Sequence, residues 1–100
     1  MVFTVPVTHA NQVRKAIGEA GGGKQGNYSF CSFSVLGIGR FKPEPGAHPA
    51  IGEVGKLQEI EEERVEILCD QAVLTDAVAA LKATHPYEEP AYDIYCLEDF

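Results

Sequence analysis

The alternation of hydrophobic and polar residues along the chain predicts four strands and two helices. Apolar residues that recur with a period near 3.6 indicate a helix, whereas short apolar runs or strict alternation indicate a strand. By these criteria the predicted strands cover residues 2–7, 28–41, 61–69 and 91–97. The helices follow the first and third strands, which gives the order strand, helix, strand, strand, helix, strand.

Capping and breaking residues predict where the two helices begin and end. Thr8 and Asp70 precede the helices and are residue types that cap helix N-termini. Glycines at 21–23 end the first helix, and Pro86 ends the second because it forces His85 out of the helical region. The apolar stripes consist of Val13, Ala16, Ile17 and Ala20 in the first helix, and of Leu74, Ala77, Val78 and Leu81 in the second. Each stripe gives its helix one face that must pack against a sheet.

This order of elements predicts an α+β protein with a ferredoxin-like β-α-β-β-α-β sandwich, formed by residues 1–100 as a single domain. Both helices then cover one face of a four-stranded antiparallel sheet. The side chains predicted on the opposite face are Phe30, Leu36 and Leu68 together with Ser32, Ser34 and Glu66. A face with this many apolar groups favours self-association.

Two features interrupt the regular pattern. Gly37 and Gly39 leave two positions of the second strand without side chains, as at a bulge or at a place where another group packs close to the backbone. Residues 42–58 then form a loop of unusual length, which is typical of a functional or disordered segment. Arg40 precedes this loop and Lys56 lies within it, so the two would offer positive charge to an anionic ligand.

Composition restricts the classes of function. The net charge is −7 and the pI is about 4.8, which disfavours nucleic acids and anionic membranes as partners because both require a basic surface. We expect the glutamate-rich residues 59–66 to form a solvated strand edge. The first residues lack the features of a signal peptide. Three cysteines without C-x-x-C spacing indicate reduced, buried thiols in a cytoplasmic protein.

No motif in the sequence supports an enzyme. The glycine-rich stretches 21–26 and 52–57 look faintly like phosphate loops, but they lack the Ser or Thr that contacts magnesium. The serines and histidines show no spacing that indicates a nucleophile and its base. The sequence therefore predicts a protein without enzymatic activity.

The most informative segment is the corner at residues 85–95, between the second helix and the last strand. It places an imidazole, a phenol and two carboxylates in a turn whose direction is fixed by two prolines. One interpretation is structural: Tyr87 packs inward and His85 caps the end of the helix. The other interpretation is a ligand or metal site.

Several motifs carry a resemblance to a known family. They are His85-Pro86-Tyr87-Glu88-Glu89-Pro90-Ala91-Tyr92-Asp93-Ile94-Tyr95, Gly26-Asn27-Tyr28, Cys31-Ser32-Phe33, Gly39-Arg40-Phe41 and Ile51-Gly52-Glu53-Val54-Gly55-Lys56-Leu57. Together they resemble the domain inserted in many bacterial Nif-three-like (YqfO-type) proteins, and they extend over nearly the whole chain. The chain is similar to a freestanding version of that insert.

The resemblance implies a CutA-like or PII-like fold and a homotrimer, because CutA and PII proteins associate through their sheets. The His-Pro-Tyr-x-x-Pro motif at 85–90 is similar to the CutA signature, although Ala91 stands where CutA proteins usually carry Glu. The metal-binding centre of the Nif-three-like family lies in the flanking domains. The resemblance therefore implies no enzymatic role for this chain.

Two hypotheses about function follow. The first is a non-enzymatic, oligomeric binding or regulatory module that senses a small anionic ligand or a partner protein through Arg40, Lys56, Tyr87 and Glu88. The alternative is a CutA-like divalent-metal-binding protein that holds zinc or copper through His85, Glu88 and His9.

Overall fold

A computed structural model describes residues 1–100 as two helices packed on one four-stranded sheet. The elements are β1 (Val2–Pro6), α1 (Ala10–Glu19), β2 (Phe33–Phe41), β3 (Gln58–Glu66), α2 (Gln71–Thr84) and β4 (Tyr92–Asp93). All strand pairs are antiparallel, and the order across the sheet is β2-β3-β1-β4. The predicted α+β class, with a four-stranded antiparallel sheet and two helices, is confirmed.

The core lies between the sheet and the two helices. Phe3 of β1 and Val65 of β3 are paired in register and are almost completely buried. Ile17 of α1 and Leu81 of α2 close the core from the other side. Removal of each of these two side chains from water contributes about 1.5–3 kcal/mol. Both helices thus cover the same face of the sheet, and we call the other face the open face.

The predicted helix stops are confirmed. Gly21 follows α1 with a φ of 102°, a conformation that glycine adopts without steric cost. His85 has extended backbone angles, φ −66° and ψ 134°, because Pro86 excludes the helical region for the residue before it. The two helices therefore end where the sequence indicated.

The predicted helix caps are not formed by side chains. The residue at the N-cap of α1 is His9, and the hydroxyl of Thr8 lies 2.9 Å from the Nδ1 atom of His9 instead. Asp70 occupies the N-cap of α2, but its side chain makes no capping hydrogen bond. Packing of the apolar faces therefore stabilises these helices more than capping does.

β2 begins at Phe33, whereas the alternating pattern predicted a strand from residue 28. The Cys31 N–H donates to a carbonyl of the glycine turn after α1, so this segment bonds away from the sheet. Phe30 has a φ of 57°, which is rare for a residue with a side chain. Its ring fills the space beside Gly18, where a Cβ would lie only 2.1 Å from the ring. Tertiary contacts thus override the local strand pattern.

β3 is an inner strand, so the prediction that residues 59–66 form a solvated strand edge is wrong. The strand pairs with β2 on one side and with β1 on the other. Its glutamates therefore alternate between the two faces of the sheet. Glu63 shares the helix-covered face with Val65 and forms an ion pair with Arg14 of α1, whereas Glu62 lies on the open face.

The predicted composition of the open face is correct only in part. Leu36 is paired with Glu63 and therefore lies on the same face as the helices, where it is highly exposed. Phe30 lies outside the strand. Phe33, on the opposite parity from Leu36, belongs to the open face, and Leu68 lies close to it.

The last strand is shorter than predicted. β4 is limited to two residues, and residues 94–100 continue without regular pairing, although a strand was expected over residues 91–97. None of the three free thiols is buried: Cys96 is exposed and the other two cysteines are half-buried, which corrects the expectation of buried thiols. No helix combines the length and the apolar character needed to cross a membrane.

Candidate functional site

The open face of the sheet has two ends of different character. Near the end of β2 that leads into the long loop lies a cavity of about 550 Å³, which we call the open-face cavity. Its lining includes Gly37, Gly39, Glu62, Arg64, Tyr87 and Ala91. The opposite end, which we call the apolar end, holds a cavity of about 420 Å³ bordered by residues that include Phe33, Leu68, Tyr95 and Leu97.

Two glycines of β2 form the floor of the open-face cavity. Alternate residues of a strand point to the same face, so side chains at positions 37 and 39 would both project into this cavity. At Gly37 a Cβ would have no neighbour within 4 Å, so the floor is open there. At Gly39 a Cβ would lie 1.7 Å from Oε1 of Glu62. The missing side chain at this position therefore provides the space that the carboxylate occupies.

Glu62 is a buried carboxylate without a cationic partner. Only 7% of the residue is exposed, and its side chain makes no ion pair. Three other glutamates of β3 each pair with an arginine. An unpaired buried carboxylate costs free energy because burial removes its hydration. Such a cost is typical of binding sites, where a ligand completes the missing contacts.

Tyr87 closes the cavity from the corner between α2 and β4. Its ring lies edge-on to Phe41, with 5.4 Å between ring centroids, and tilted against His85, with 5.1 Å between centroids. The hydroxyl oxygen is buried and has no hydrogen-bond partner. Burial raises the pKa of Tyr87, and the adjacent Glu62 raises it further, because its carboxylate attracts the phenolic proton and carries a negative charge, although the pair falls outside strict hydrogen-bond geometry. The phenol thus stays protonated.

His85 anchors this corner to the sheet. Its Nε2–H donates to the Thr4 carbonyl over 2.7 Å, and its Nδ1 accepts from the Tyr87 backbone N–H over 3.1 Å. These partners assign the tautomer that is protonated at Nε2. Burial lowers the pKa of His85, against the smaller opposing effects of the Thr4 carbonyl and Glu62. A neutral His85 therefore holds Tyr87 in position.

The structure brings together only some of the predicted ligand-binding residues. Arg40 and Tyr87 both line the open-face cavity. The charge of Arg40 is already balanced, because its Nε lies 3.2 Å from Oε1 of Glu59. Lys56 is not among the residues that line the cavity, and its Nζ pairs with Glu53 over 2.8 Å. Arg40 and Lys56 therefore do not form one positive site.

Glu88, the fourth predicted binding residue, holds the long loop against the corner. Its Oε1 accepts a hydrogen bond from the His48 backbone N–H over 2.9 Å. Glu88 and Tyr87 border a third, smaller cavity of about 270 Å³, whose other wall comes from loop residues between Lys42 and Ile51. Tyr87 therefore separates this loop cavity from the open-face cavity.

The three predicted metal ligands are engaged elsewhere in the chain. Both ring nitrogens of His85 contact backbone groups, His9 lies beside Thr8, and Glu88 bonds to the loop. No three His, Cys, Asp or Glu side chains lie close enough together to hold a metal ion. A metal bound at His85 would have to displace one of its two backbone partners. Zinc or copper binding stays a prediction.

Glu62, which lines the cavity and lies over Gly39, was not predicted from the sequence as a site residue. The run of glutamates around it was assigned to solvent as a whole. The available signal was the alternation along β3, because a core position at Val65 places Glu62 on the other face. Gly37 and Gly39 on the paired strand already indicated a close approach to the backbone.

Comparisons with known proteins give the chain clear relatives. No family model matches it. Over 97 residues it is 50% identical to the protein named GTP cyclohydrolase 1 type 2 homolog in Halalkalibacterium halodurans. Proteins of the same name in Bacillus subtilis and Mycobacterium tuberculosis are 50% and 47% identical over 94 and 96 residues. A solved Bacillus cereus protein related to NIF3 superposes with a TM-score of 0.82 at 45% identity, over 98% of this chain.

The similarity extends over nearly all of this chain but over a limited part of each relative. The chain covers 25–26% of these curated proteins and 25% of the solved chain, so it spans about a quarter of their length. The chain is thus homologous to one segment of proteins named GTP cyclohydrolase 1 type 2 homolog and of a NIF3-related protein, which supports the predicted resemblance to Nif-three-like proteins.

Proposed function

We propose that this chain is a non-enzymatic binding module that takes up a small molecule in the open-face cavity. The observation that carries this proposal is a pair of groups at one cavity: the buried Glu62, which has no cationic partner, and the buried hydroxyl of Tyr87, which has no hydrogen-bond partner. Both groups border the same cavity, so one ligand that contacts both would complete their hydrogen bonds. The cavity also has the volume that small-molecule sites usually have.

The finer classification of the fold is part of the same proposal. We assign the chain to the ferredoxin-like sandwiches of CutA-like or PII-like type. Support comes from the order of the elements, from the strand order β2-β3-β1-β4, and from both helices lying on one face. The His-Pro-Tyr-x-x-Pro motif at 85–90 adds sequence support.

The apolar end of the open face supports a homotrimer. Phe33, Leu68, Tyr95 and Leu97 leave between 51% and 71% of their surface exposed. Large apolar side chains grouped in this way favour association between subunits. A ligand in the open-face cavity would then lie on the same sheet face as the interface, which gives the module a route to regulation. Three free thiols suit the cytoplasm, the location we propose.

A thermal-shift screen over nucleotides and metabolites tests the proposal. GTP belongs in this screen because relatives of the chain are named GTP cyclohydrolase 1 type 2 homolog. A ligand at about one hundred times its Kd adds about 2.7 kcal/mol to the free energy of unfolding. For a domain of this size each kcal/mol raises the Tm by roughly 4–8 °C, so a true ligand is readily detected.

Two variants distinguish the open-face cavity from other sites. Tyr87→Phe removes only the hydroxyl, and Glu62→Gln removes the charge while it keeps the side-chain shape. Glu61→Gln is the matched control, since Glu61 carries the same charge on the neighbouring position and points to the other face. A ligand that stabilises all three variants as much as it stabilises the wild type would contradict the proposed site. A screen that finds no ligand would contradict the proposed function.

A further inference from the structure

We propose that the open-face cavity selects a planar group with two adjacent N–H donors, such as an amidine or an amino-substituted nitrogen heterocycle. This inference rests on the proposed binding function and adds the chemical class of the ligand. Glu62 is the acceptor of the two N–H groups, Gly37 is the surface on which the planar group lies, and Tyr87 is the aromatic wall beside it.

The carboxylate of Glu62 determines the polarity of the ligand. An ionised carboxylate only accepts hydrogen bonds, and its two oxygens match two parallel N–H donors. No arginine or lysine of the chain supplies those donors to Glu62, although neighbouring glutamates on β3 have their own arginines. A donor pair on the ligand would thus replace the missing partner of a residue that is only 7% exposed.

The floor of the cavity determines the shape of the ligand. Gly37 is directly opposite Glu62 in the pairing of β2 with β3, and both lie on the open face. Because a Cβ at Gly37 would meet nothing within 4 Å, the backbone is open to contact there. A flat ring can lie on this exposed backbone with its edge toward the carboxylate, whereas a bulky saturated group cannot approach as closely.

The remaining walls favour a cation over an anion. Phe41 and Tyr87 form an edge-on aromatic pair beside the floor, and aromatic faces attract cations. The two arginines that border the cavity, Arg40 and Arg64, already lie near Glu59 and Glu66, at 3.2 and 4.0 Å. The overall charge of −7 also attracts positively charged ligands. The anionic ligand expected from the sequence is therefore not the class that this cavity selects.

Titration with benzamidine and benzoate, followed by two-dimensional NMR, tests this inference. The two probes share a phenyl ring, but benzamidine presents two N–H donors and a positive charge, whereas benzoate presents a carboxylate. We expect benzamidine to bind with a Kd on the order of 1 mM, as suits a probe with so few atoms, and to shift the resonances of Gly37 and Gly39. Benzoate is expected not to shift them.

Three variants assign the binding to the named groups. Glu62→Gln should weaken benzamidine binding about tenfold to a hundredfold, because a charge-assisted hydrogen bond is lost. Gly37→Val should abolish binding, since a Cβ at this position has open space around it and the new side chain would occupy the floor. Glu61→Gln should bind benzamidine as the wild type does. The wild-type pattern of resonances in each variant checks that the fold is kept.

Each outcome bears on one proposal or the other. Three results would overturn the assignment of the ligand class: the wild type does not bind benzamidine, Glu62→Gln binds benzamidine as tightly as the wild type does, or the wild type binds benzoate as tightly as benzamidine. If the metabolite screen nevertheless finds a ligand that Tyr87→Phe loses, the binding function stands and only the ligand class is wrong. If neither the probes nor the screen gives binding, both proposals fail.

Discussion

Replacement of Gly39 by alanine tests whether the Glu62 carboxylate is held in its niche on the open face. The new methyl carbon would lie 1.7 Å from Oε1 and 2.4 Å from Cδ of Glu62. Non-bonded heavy atoms prefer separations of about 3.5–4.0 Å, so the two side chains cannot both stay in place. The φ angle of Gly39 is not positive, and the conflict is therefore with Glu62 and not with the backbone.

Two opposing contributions set the expected loss of stability. Overpacking of this kind costs about 1–3 kcal/mol. A glycine-to-alanine change in a compatible backbone returns about 0.4–1 kcal/mol because it lowers the entropy of the unfolded chain. In a Glu62→Ala background only the favourable contribution remains. The coupling energy between the two positions is thus expected to be about 1–3 kcal/mol, and it is the decisive quantity.

Urea unfolding followed by circular dichroism gives this coupling energy from four proteins: the wild type, Gly39→Ala, Glu62→Ala and the double variant. Gly37→Ala is the matched control, because it lies on the same strand and face but has no neighbour within 4 Å of the new Cβ. This control is expected to raise the free energy of unfolding by about 0.4–1 kcal/mol.

A coupling energy below about 0.5 kcal/mol would refute the reasoning, since positions without a shared contact add within that margin. It would mean that the Glu62 side chain leaves the niche at no cost. Equal effects of Gly37→Ala and Gly39→Ala would have the same meaning. In either case the carboxylate would not be positioned by the floor of the cavity.

Stability, assembly, ligand affinity and metal binding can each be tested separately. Because the pKa of His85 is lowered in the folded protein, the contribution of neutral His85 to the free energy of unfolding is present above about pH 6.5 and is lost as the pH falls toward the folded-state pKa. His85→Asn keeps an acceptor but does not titrate, so it should flatten the pH dependence of stability in unfolding experiments at several pH values. Leu68→Glu should dissociate the proposed homotrimer in light scattering, and a monomeric wild type would contradict that assembly. Arg40→Ala should change the affinity of a ligand found in the screen, whereas Lys56→Ala, outside the cavity, should not. Calorimetry with zinc and copper tests the metal hypothesis. Equal binding heats for the wild type and His85→Ala would contradict it.

The helices were predictable because the residues that determine them are close together in the sequence. Val13 and Ile17 lie four residues apart on one face of α1, and Ala77 and Leu81 have the same spacing in α2. Both pairs are buried, as the period of 3.6 requires. Pro86 acts on the residue before it, so the end of α2 was equally visible in the sequence.

The start of β2 was not predictable because it depends on distant residues. Residues 28–32 alternate as a strand would, but the position of Phe30 is set by contact with Gly18 of α1. The Cys31 N–H bonds to the Gly23 carbonyl in place of a strand partner. A pattern within five residues contains no record of contacts with another element.

Only part of the site was predictable from the sequence, because the rest depends on contacts between residues that are far apart in the chain. The corner at 85–90 was recognised because its imidazole, phenol and carboxylates are contiguous in sequence. Glu62 was hidden because the space it fills is provided by Gly39, on a different strand. The assignment of the acidic run to solvent depended on an edge position for β3, and only the order of strands in the sheet shows that this strand is central.

The strand β3 contributes Val65 to the core and Glu62 to the open-face cavity. The register of this strand therefore positions both residues at once. A slip of one residue would bring Glu62 toward the helices and remove Val65 from the core. One contact on each face opposes such a slip: the ion pair of Glu63 with Arg14 and the fit of Glu62 over Gly39. The proposed ligand, paired with Glu62, would therefore reinforce the register that the core already requires. Because β2 also carries part of the apolar end, stronger pairing of β2 with β3 would be the route by which an occupied cavity influences the proposed homotrimer.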